Sequence, residues 1–383
     1  MNICLFTSSF LPNVGGMENV VDILAKEYKA LGHQVVVLAK TPRKMKTHPH
    51  FDYPVYYYKR SRSEIFFLGA PEKMLKKLHE QYHFDVIHAH QMYPTGYLAV
   101  RFSAKQNVPV LLTSHAGDVQ EQSKYRKSRI KCRRMIRTMQ IAPIVTAVGT
   151  GTCEEIDALT GMKKAYFLPN GCSEPDNPEI MAELQEKLNT IDLKNGFDLS
   201  VGRLHPAKGL QNLVRAYKLL KDKEIDTVPY IMAGAGQMEE ELKAAITEMQ
   251  LEDRIFMIGS VTPQERDWLL RRCRFFFQPS LREGMPLTVL ESLAAGAPVI
   301  GTDIPGIREI LQDGFNGKLV PPGDPEVLAQ VIEAVAQEDH GAYKAHAKEI
   351  LNTHSWRKIA EQYITIFERL IQNSIQKNLE NKV

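Results

Sequence analysis

Residues 2–38 read NICLFTSSFLPNVGGMENVVDILAKEYKALGHQVVVL. Residues 2–8 form a short apolar run, of the kind that makes a strand buried on both faces. Pro12-Asn13-Val14-Gly15-Gly16 reads as a loop. A helix opens at Met17, with Val20, Val21, Leu24 and Leu31 on its apolar side and Gly32 as its stop. Residues 33–38 are the next strand. Strand, glycine-containing turn, helix and strand make a right-handed βαβ unit, the start of a doubly wound parallel sheet.

The same alternation continues outward. Further strands are expected at 55–58, 84–88, 108–113, 144–148 and 165–168, with helices between them. A Pro/Asp/Asn-rich segment, SEPDNP, follows Cys172. It marks 172–195 as a connection between domains. A second series then begins, with strands at 197–201, 230–233, 255–258, 275–278, 299–301 and 317–320. The fold class is therefore α/β, two tandem doubly wound domains of the Rossmann-like type, 1–171 and 196–360. Ligands of such sheets bind outside the carboxyl ends of the strands, so the expected site is a cleft between the domains. The tail carries Trp356, Ile359, Tyr363, Ile366 and Leu370 at helical spacing, too apolar on one side for a free tail.

At 383 residues the chain is too long for one ordinary core. Its 44% hydrophobic and 24% charged content is that of a globular protein. A net charge of +3 does not suggest a nucleic-acid binder. The five cysteines are scattered and lack a CxxC pair, which fits a reducing compartment without disulfides or structural zinc. No signal peptide or apolar span of membrane length is evident, so a cytoplasmic protein is expected.

Three groups of residues could carry chemistry. In PSLREGMPLTVLESLAAGAPVIGTDIPGIREIL, residues 279–311, Glu283 precedes Gly284-Met285-Pro286-Leu287, a loop tightening into a helix with Pro286 in its first turn. Glu291 lies within that helix. At helical rise the two acids are roughly 12 Å apart, too far for a pair acting on one bond. The spacing suits two acids gripping opposite ends of an extended ligand, with a helix N-terminus between them for a phosphate. Second, Arg203 and Lys208 flank a turn that follows a strand, as cations for a diphosphate. Third, Gly15-Gly16 lets backbone approach a phosphate, and His115 ends a strand where a reacting group would stand. His88 and His90 are read as structural. No P-loop, GxGxxG fingerprint, GxSxG elbow or metal-ligand spacing occurs. A basic helix is expected at 124–139, with Lys124, Arg126, Lys127, Arg129, Lys131, Arg133, Arg134 and Arg137. It is either a solvated face or a peripheral contact with an anionic membrane.

The ordered set Gly15-Gly16, Ser114-His115, Pro169-Asn170-Gly171, Gly202-Arg203…Lys208-Gly209, Glu283-x7-Glu291 and Ala295-Gly296-Ala297-Pro298-Val299 resembles the group-1 (GT4-type) glycosyltransferases. The resemblance spans nearly the whole chain and is densest from Arg203 to Asp324. It implies the GT-B fold, a retaining mechanism and no metal or other cofactor, with a UDP- or GDP-sugar as co-substrate. It implies that Arg203 and Lys208 neutralise the donor diphosphate and that Glu291 holds the ribose. Glu283, with the backbone of Gly284, Met285, Pro286 and Leu287, would hold the donor sugar. Gly15-Gly16 would close over the phosphate, and His115 would sit near the reacting sugar. It also places a C-terminal helix, from about 361 to 383, back on the first domain. Ala116 stands where many members of the family have glycine.

Two alternatives accompany this expectation. One is a nucleotide-sugar epimerase of the same fold, and the other is a non-catalytic sugar-nucleotide binder. The acceptor could be a glycan, a lipid-linked saccharide or a small molecule, in cell-envelope glycan, glycolipid or polysaccharide synthesis.

Overall fold

A computed structural model of the protein describes residues 1–13, 15–42, 49–59, 68–338 and 340–380, with the backbone alone for 377–380. Val14 and residues 381–383, which the expected loop and tail include, lie outside them. The chain divides into two compact units, Met1–Gly171 with Trp356–Val383, and Cys172–Ser355.

The first unit is built on a parallel sheet of seven strands. They are β1 (Asn2–Thr7), β2 (Gln34–Lys40), β3 (Val55–Tyr58), β4 (Val86–His90), β5 (Val110–Ser114), β6 (Ile144–Ala147) and β7 (Ala165–Phe167). Their spatial order is β3-β2-β1-β4-β5-β6-β7. Ile3, Leu5, Val37, Leu38, Ile87, Leu111 and Leu112 are all fully buried. That explains why these strands read as unbroken apolar runs rather than alternating ones. The Gly16–Ala30 helix ends at Leu31, and Gly32 follows with φ 86°. That is the left-handed step a side chain would strain.

The C-terminal helix Trp356–Glu380 packs on Gly16–Ala30. Phe367 meets Tyr28 edge-on at 5.6 Å, and Tyr363 lies 4.7 Å from the His88 ring. Trp356, Ile359, Tyr363 and Leu370 are buried as expected, and at the one remaining position Phe367 is fully buried while Ile366 is only half-buried. Burying a ring of this size stabilises the fold by roughly 1.5–3 kcal/mol. The chain enters this helix at Trp356, whose ring and backbone occupy the space beside Gly171.

The second unit carries β8 (Asp198–Val201), β9 (Tyr230–Ala233), β10 (Ile255–Gly259), β11 (Phe276–Gln278), β12 (Val299–Thr302) and β13 (Gly317–Val320). The order is β10-β9-β8-β11-β12-β13, again all parallel. Both sheets therefore reverse their winding once, between β1 and β4 and between β8 and β11. Such switch points open a crevice at the carboxyl ends of the two strands.

Two expectations about local structure are corrected. The basic helix runs Arg129–Ile141, not from 124. Ser123 Oγ accepts the Tyr125 N–H at 3.2 Å, closing a turn where the helix was expected. Arg126 is drawn into an ion pair with Glu155 at 3.1 Å. Pro286 is the N-cap residue of Leu287–Ala295, with extended φ/ψ of −73° and 117°, rather than part of its first turn.

Candidate functional site

In the second unit, the switch point brings together residues that are far apart in sequence. β8 runs into Gly202-Arg203, and the neighbouring β11 runs into Pro279 and on to Glu283. A small pocket at these strand ends is lined by Gly202, Arg203, Lys208, Gln278 and Pro279.

Lys208 sits in the one-turn 3-10 segment Pro206–Lys208, which His205 caps by accepting the Ala207 N–H at 3.2 Å. Gly209 follows with φ 64°. A Cβ there would stand 2.0 Å from the Pro279 carbonyl oxygen, so the two loops touch backbone to backbone. Leu281 N–H donates to Ala207 O at 2.8 Å and fixes the same contact. This closeness brings Lys208 Nζ to 2.7 Å from Glu283 Oε1. Gln278 Nε2 at 2.8 Å and Ser280 Oγ at 2.7 Å donate to the same oxygen. Sequence reading assigned Lys208 to a diphosphate and Glu283 to a sugar; in this structure they hold each other. Arg203 is exposed and has no ion pair or hydrogen bond among the described residues.

Gly284, Met285, Pro286 and Leu287 lead from Glu283 into the Leu287–Ala295 helix. The Gly284 carbonyl packs so close to Gly306 that a Cβ on Gly306 would meet it at 2.1 Å. Met285 is buried beneath. Pro286 offers no capping side chain, so the Leu287 and Thr288 N–H groups have no partner within the helix, and Val289 N–H is the first to find one, in Pro286 O at 3.2 Å. One step further, Thr288 Oγ1 lies 3.4 Å from Gln278 Oε1, the residue that also holds Glu283. Glu291 stands three residues on, on the same helical face.

Glu291 is the electrostatically unusual group. Its Oε1 pairs with Arg266 Nη1 at 3.2 Å, while Oε2 is buried with no partner. Burial raises its pKa to about 6, against the pull of Arg266. Arg266 is shared with Asp267 through bonds of 3.0 and 2.8 Å. A carboxylate held ionised near neutrality, with one oxygen unsatisfied, is a ready acceptor for hydroxyl donors.

In the first unit, Gly15 and Gly16 follow β1 at the β1/β4 switch, and His115 stands at the end of the neighbouring β5. Gly15 is the N-cap residue of its helix, and its φ of −176° is extended backbone. Gly16 is the first helical residue. His115 follows β5, and its Nε2 lies 2.9 Å from His90 Nδ1, with the two rings stacked at 5.2 Å. His90 in turn lies 4.2 Å from the His88 ring. His88 Nε2 meets Thr113 Oγ1 at 2.7 Å, and His90 Nε2 is buried without a partner. His90, expected as a structural residue, is thus hydrogen-bonded to His115. The H-x-H at the end of β4 was the available signal, since alternate residues of a strand share a face.

Asp118 also escaped sequence reading. Its Oδ2 accepts the Met92 N–H and its Oδ1 the Ser114 hydroxyl, both at 2.6 Å. It ties together the loops that follow β4 and β5. Ala116, between His115 and Asp118, has φ 69°, a left-handed conformation that disfavours any side chain. Gln278, Ser280 and Arg266 were likewise missed, because they matter only through Glu283 and Glu291.

Burial holds all three histidines neutral: His88 and His90 well below the usual range, and His115 at about 4. A histidine whose folded pKa is depressed supports the fold above its unfolded value of 6.5, and that support is lost as pH falls toward the folded value. The protein is thus expected to lose stability from pH 6.5 downward. His115 alone contributes about 1–2 kcal/mol of the loss at pH 5, allowing for solvent screening of its partly accessible ring. Urea unfolding at pH 7.5 and 5 measures this. His90→Phe should flatten the profile, and an unchanged slope would refute the histidine account.

Comparison with known proteins adds family information. The model described as Glycosyl transferases group 1 matches residues 182–350, and the one described as Glycosyltransferase Family 4 matches 14–174. The alpha-monoglucosyldiacylglycerol synthase of Streptococcus pneumoniae is 25% identical, over 99% of this chain and 88% of its own. Among solved structures, the sucrose-phosphate synthase of Thermosynechococcus elongatus superposes with a TM-score of 0.79 at 19% identity, over 97% of this chain and all of that one. The HepE protein of Anabaena in complex with UDP-glucose superposes with a TM-score of 0.77 at 19% identity, over 96% of this chain and 99% of that one.

Proposed function

The chain belongs to the group-1, GT4-type glycosyltransferases, and from that premise we propose that it moves a sugar from a nucleoside-diphosphate donor to an acceptor hydroxyl with retention of anomeric configuration. The observation that carries the donor reading is Glu291, whose unpartnered buried oxygen suits the hydroxyl pair of a ribose. One helical turn away begins the chain of contacts Thr288, Gln278, Glu283 and Lys208. Arg203, Lys208 and the N-terminal amides of the Leu287–Ala295 helix then supply positive charge for the diphosphate.

In the proposed reaction the bond from the sugar C1 to the diphosphate oxygen breaks. The acceptor oxygen bonds to C1 on the same face, and its proton passes to the departing phosphate. Arg203 and Lys208 stabilise charge where it develops, on the leaving group. We assign the charge stabilisation to these two cations. His115, with one nitrogen oriented by His90, is assigned to the reacting sugar.

UDP-glucose in the Anabaena structure supports a UDP-sugar as the first donor to test, with a GDP-sugar second. The diacylglycerol glycolipid in the Streptococcus relative's name supports a lipid or lipid-linked acceptor among glycan acceptors. Family membership does not favour the epimerase. The deciding experiment incubates the protein with UDP- and GDP-sugars, with and without an acceptor panel in EDTA. Acceptor-dependent release of nucleoside diphosphate is expected. An isomerised donor, or binding without turnover across the panel, would overturn the proposal.

A further inference from the structure

The three histidines of the first unit form a row at the ends of β4 and β5. His88 and His90 are fully buried, while His115 keeps part of its surface accessible. His90 pairs with Thr113 across β4 and β5, and Thr95 Oγ1 donates to its carbonyl at 2.7 Å. The Gly117 N–H donates to the His115 carbonyl at 2.9 Å, and the intervening Ala116 is held at φ 69°. Both backbones are therefore pinned, and the 2.9 Å contact between His90 Nδ1 and His115 Nε2 is a fixed feature of the fold.

A hydrogen bond between two neutral imidazoles needs a proton on one nitrogen and a lone pair on the other. Burial keeps both rings neutral, so each carries one N–H. If His115 Nε2 donated, His90 Nδ1 would be bare and the His90 proton would sit on Nε2. That nitrogen is buried and has no acceptor among the described residues. His88, whose ring is 4.2 Å away, offers none, because its Nε2 lies 2.7 Å from Thr113 Oγ1 and its Nδ1 faces Tyr28 Oη at 3.4 Å. A buried N–H without an acceptor carries the whole cost of desolvation, and such groups are rarer than bare acceptors. The opposite arrangement leaves only a lone pair at that position. His90 then donates from Nδ1, His115 accepts at Nε2, and the His115 proton is left on Nδ1.

We propose that His90 is a positioning residue that locks His115 in its Nδ1–H form, so that His115 meets the reacting sugar as a hydrogen-bond donor and not as a base. The hydrogen bond made by one imidazole nitrogen sets the state of the other. The His115 lone pair is already taken up by His90, so the ring has an N–H to offer and no free nitrogen to receive a proton. This matches a reaction in which the acceptor proton leaves with the phosphate. The role at the sugar depends on the transfer reaction proposed above, whereas the tautomer follows from the fold of the first unit alone.

The test uses the full wild-type chain with isotopically labelled histidine at pH 7.5. A long-range proton–nitrogen NMR spectrum separates protonated from bare ring nitrogens, and His115→Gln identifies the His115 signals. A protonated Nδ1 and a bare Nε2 are expected, the reverse of the usual preference of a free histidine side chain. A proton on His115 Nε2, or a doubly protonated ring, would overturn the proposal. Two variants read the role. His90→Asn keeps an N–H donor near the place of Nδ1, and should keep both the His115 signature and a transfer rate near that of wild type. His90→Phe fills the space of the ring without a donor. It should give His115 a mixture of tautomers and lower kcat by roughly tenfold or more, with UDP affinity unchanged. If His90 served packing alone, the order would be reversed, with phenylalanine tolerated and asparagine damaging, and that order would refute the positioning role. If wild type moves no sugar from any donor, the transfer reaction and the role of His115 in it fall together, while a protonated Nδ1 still upholds the tautomer.

Discussion

Glu291→Gln is expected to cut UDP affinity by roughly 10- to 100-fold while making the protein more stable at pH 7.5. Both effects come from one carboxylate. In the unfolded chain it titrates near 4.5, and in the fold at about 6. The fold therefore holds the proton more tightly than the unfolded chain does. The group favours the folded state fully below pH 4.5, and that advantage is lost as pH rises through 6. At pH 7.5 the ionised, largely desolvated Glu291 costs the fold about 2 kcal/mol. Glutamine has the same shape and no charge, and Arg266 keeps its bonds to Asp267. The fold thus gains, but the charged acceptor is gone. Hydrogen bonds to a charged group contribute about 1.5–3 kcal/mol each, which sets the affinity loss. Urea unfolding at pH 5 and 7.5, beside calorimetry with UDP, reads both. The stabilisation should shrink at pH 5, where the wild-type carboxylate is largely protonated. Wild-type UDP affinity in the variant would dismiss the ribose assignment, and destabilisation at pH 7.5 would dismiss the electrostatic one.

The parallel, doubly wound class of both sheets was legible because parallel strands buried on both faces leave continuous apolar runs separated by helical periods. NICLFT and QVVVLAK in the first unit are clear cases. Arg203, Lys208, Glu283 and Glu291 were legible because they flank strand ends and a helix start. What stayed hidden was the pairing. Sequence spacing says that Lys208 and Glu283 follow β8 and β11. It does not say that β8 and β11 are neighbours, and so it cannot place Nζ 2.7 Å from Oε1. Arg266 is invisible for the same reason, since it reaches Glu291 across 25 residues. The basic helix was displaced by five residues because charge has no helical period. The Ser123 turn and the Arg126–Glu155 pair, both local, decide its start.

Lys208→Met is expected to lower the transfer rate by roughly 10²–10³-fold, with a smaller loss of UDP affinity. An alternative account would make Lys208 a structural counterion of Glu283 and nothing more. The geometry separates the two. Without the ammonium, Glu283 Oε1 still receives Gln278 Nε2 and Ser280 Oγ, so the carboxylate is not orphaned. The ion pair is partly exposed, with the two side chains 25% and 14% accessible. Its loss should therefore shift stability by no more than about 1 kcal/mol. A large kinetic defect in a folded variant would then belong to the donor and not to the scaffold. Glu283→Gln supplies the converse. Lys208 is released from its anionic partner, so UDP without a sugar should bind at least as tightly as to wild type. Turnover of the UDP-sugar should nevertheless fall, because the proposed sugar grip is gone. If Lys208 serves only Glu283, both variants should behave alike, and transfer by Lys208→Met within threefold of wild type would rule out its role at the diphosphate. If Lys208 exchanges one anion for another, the resting pair with Glu283 keeps the ammonium in place until a diphosphate competes for it, and the two variants must move UDP affinity in opposite directions.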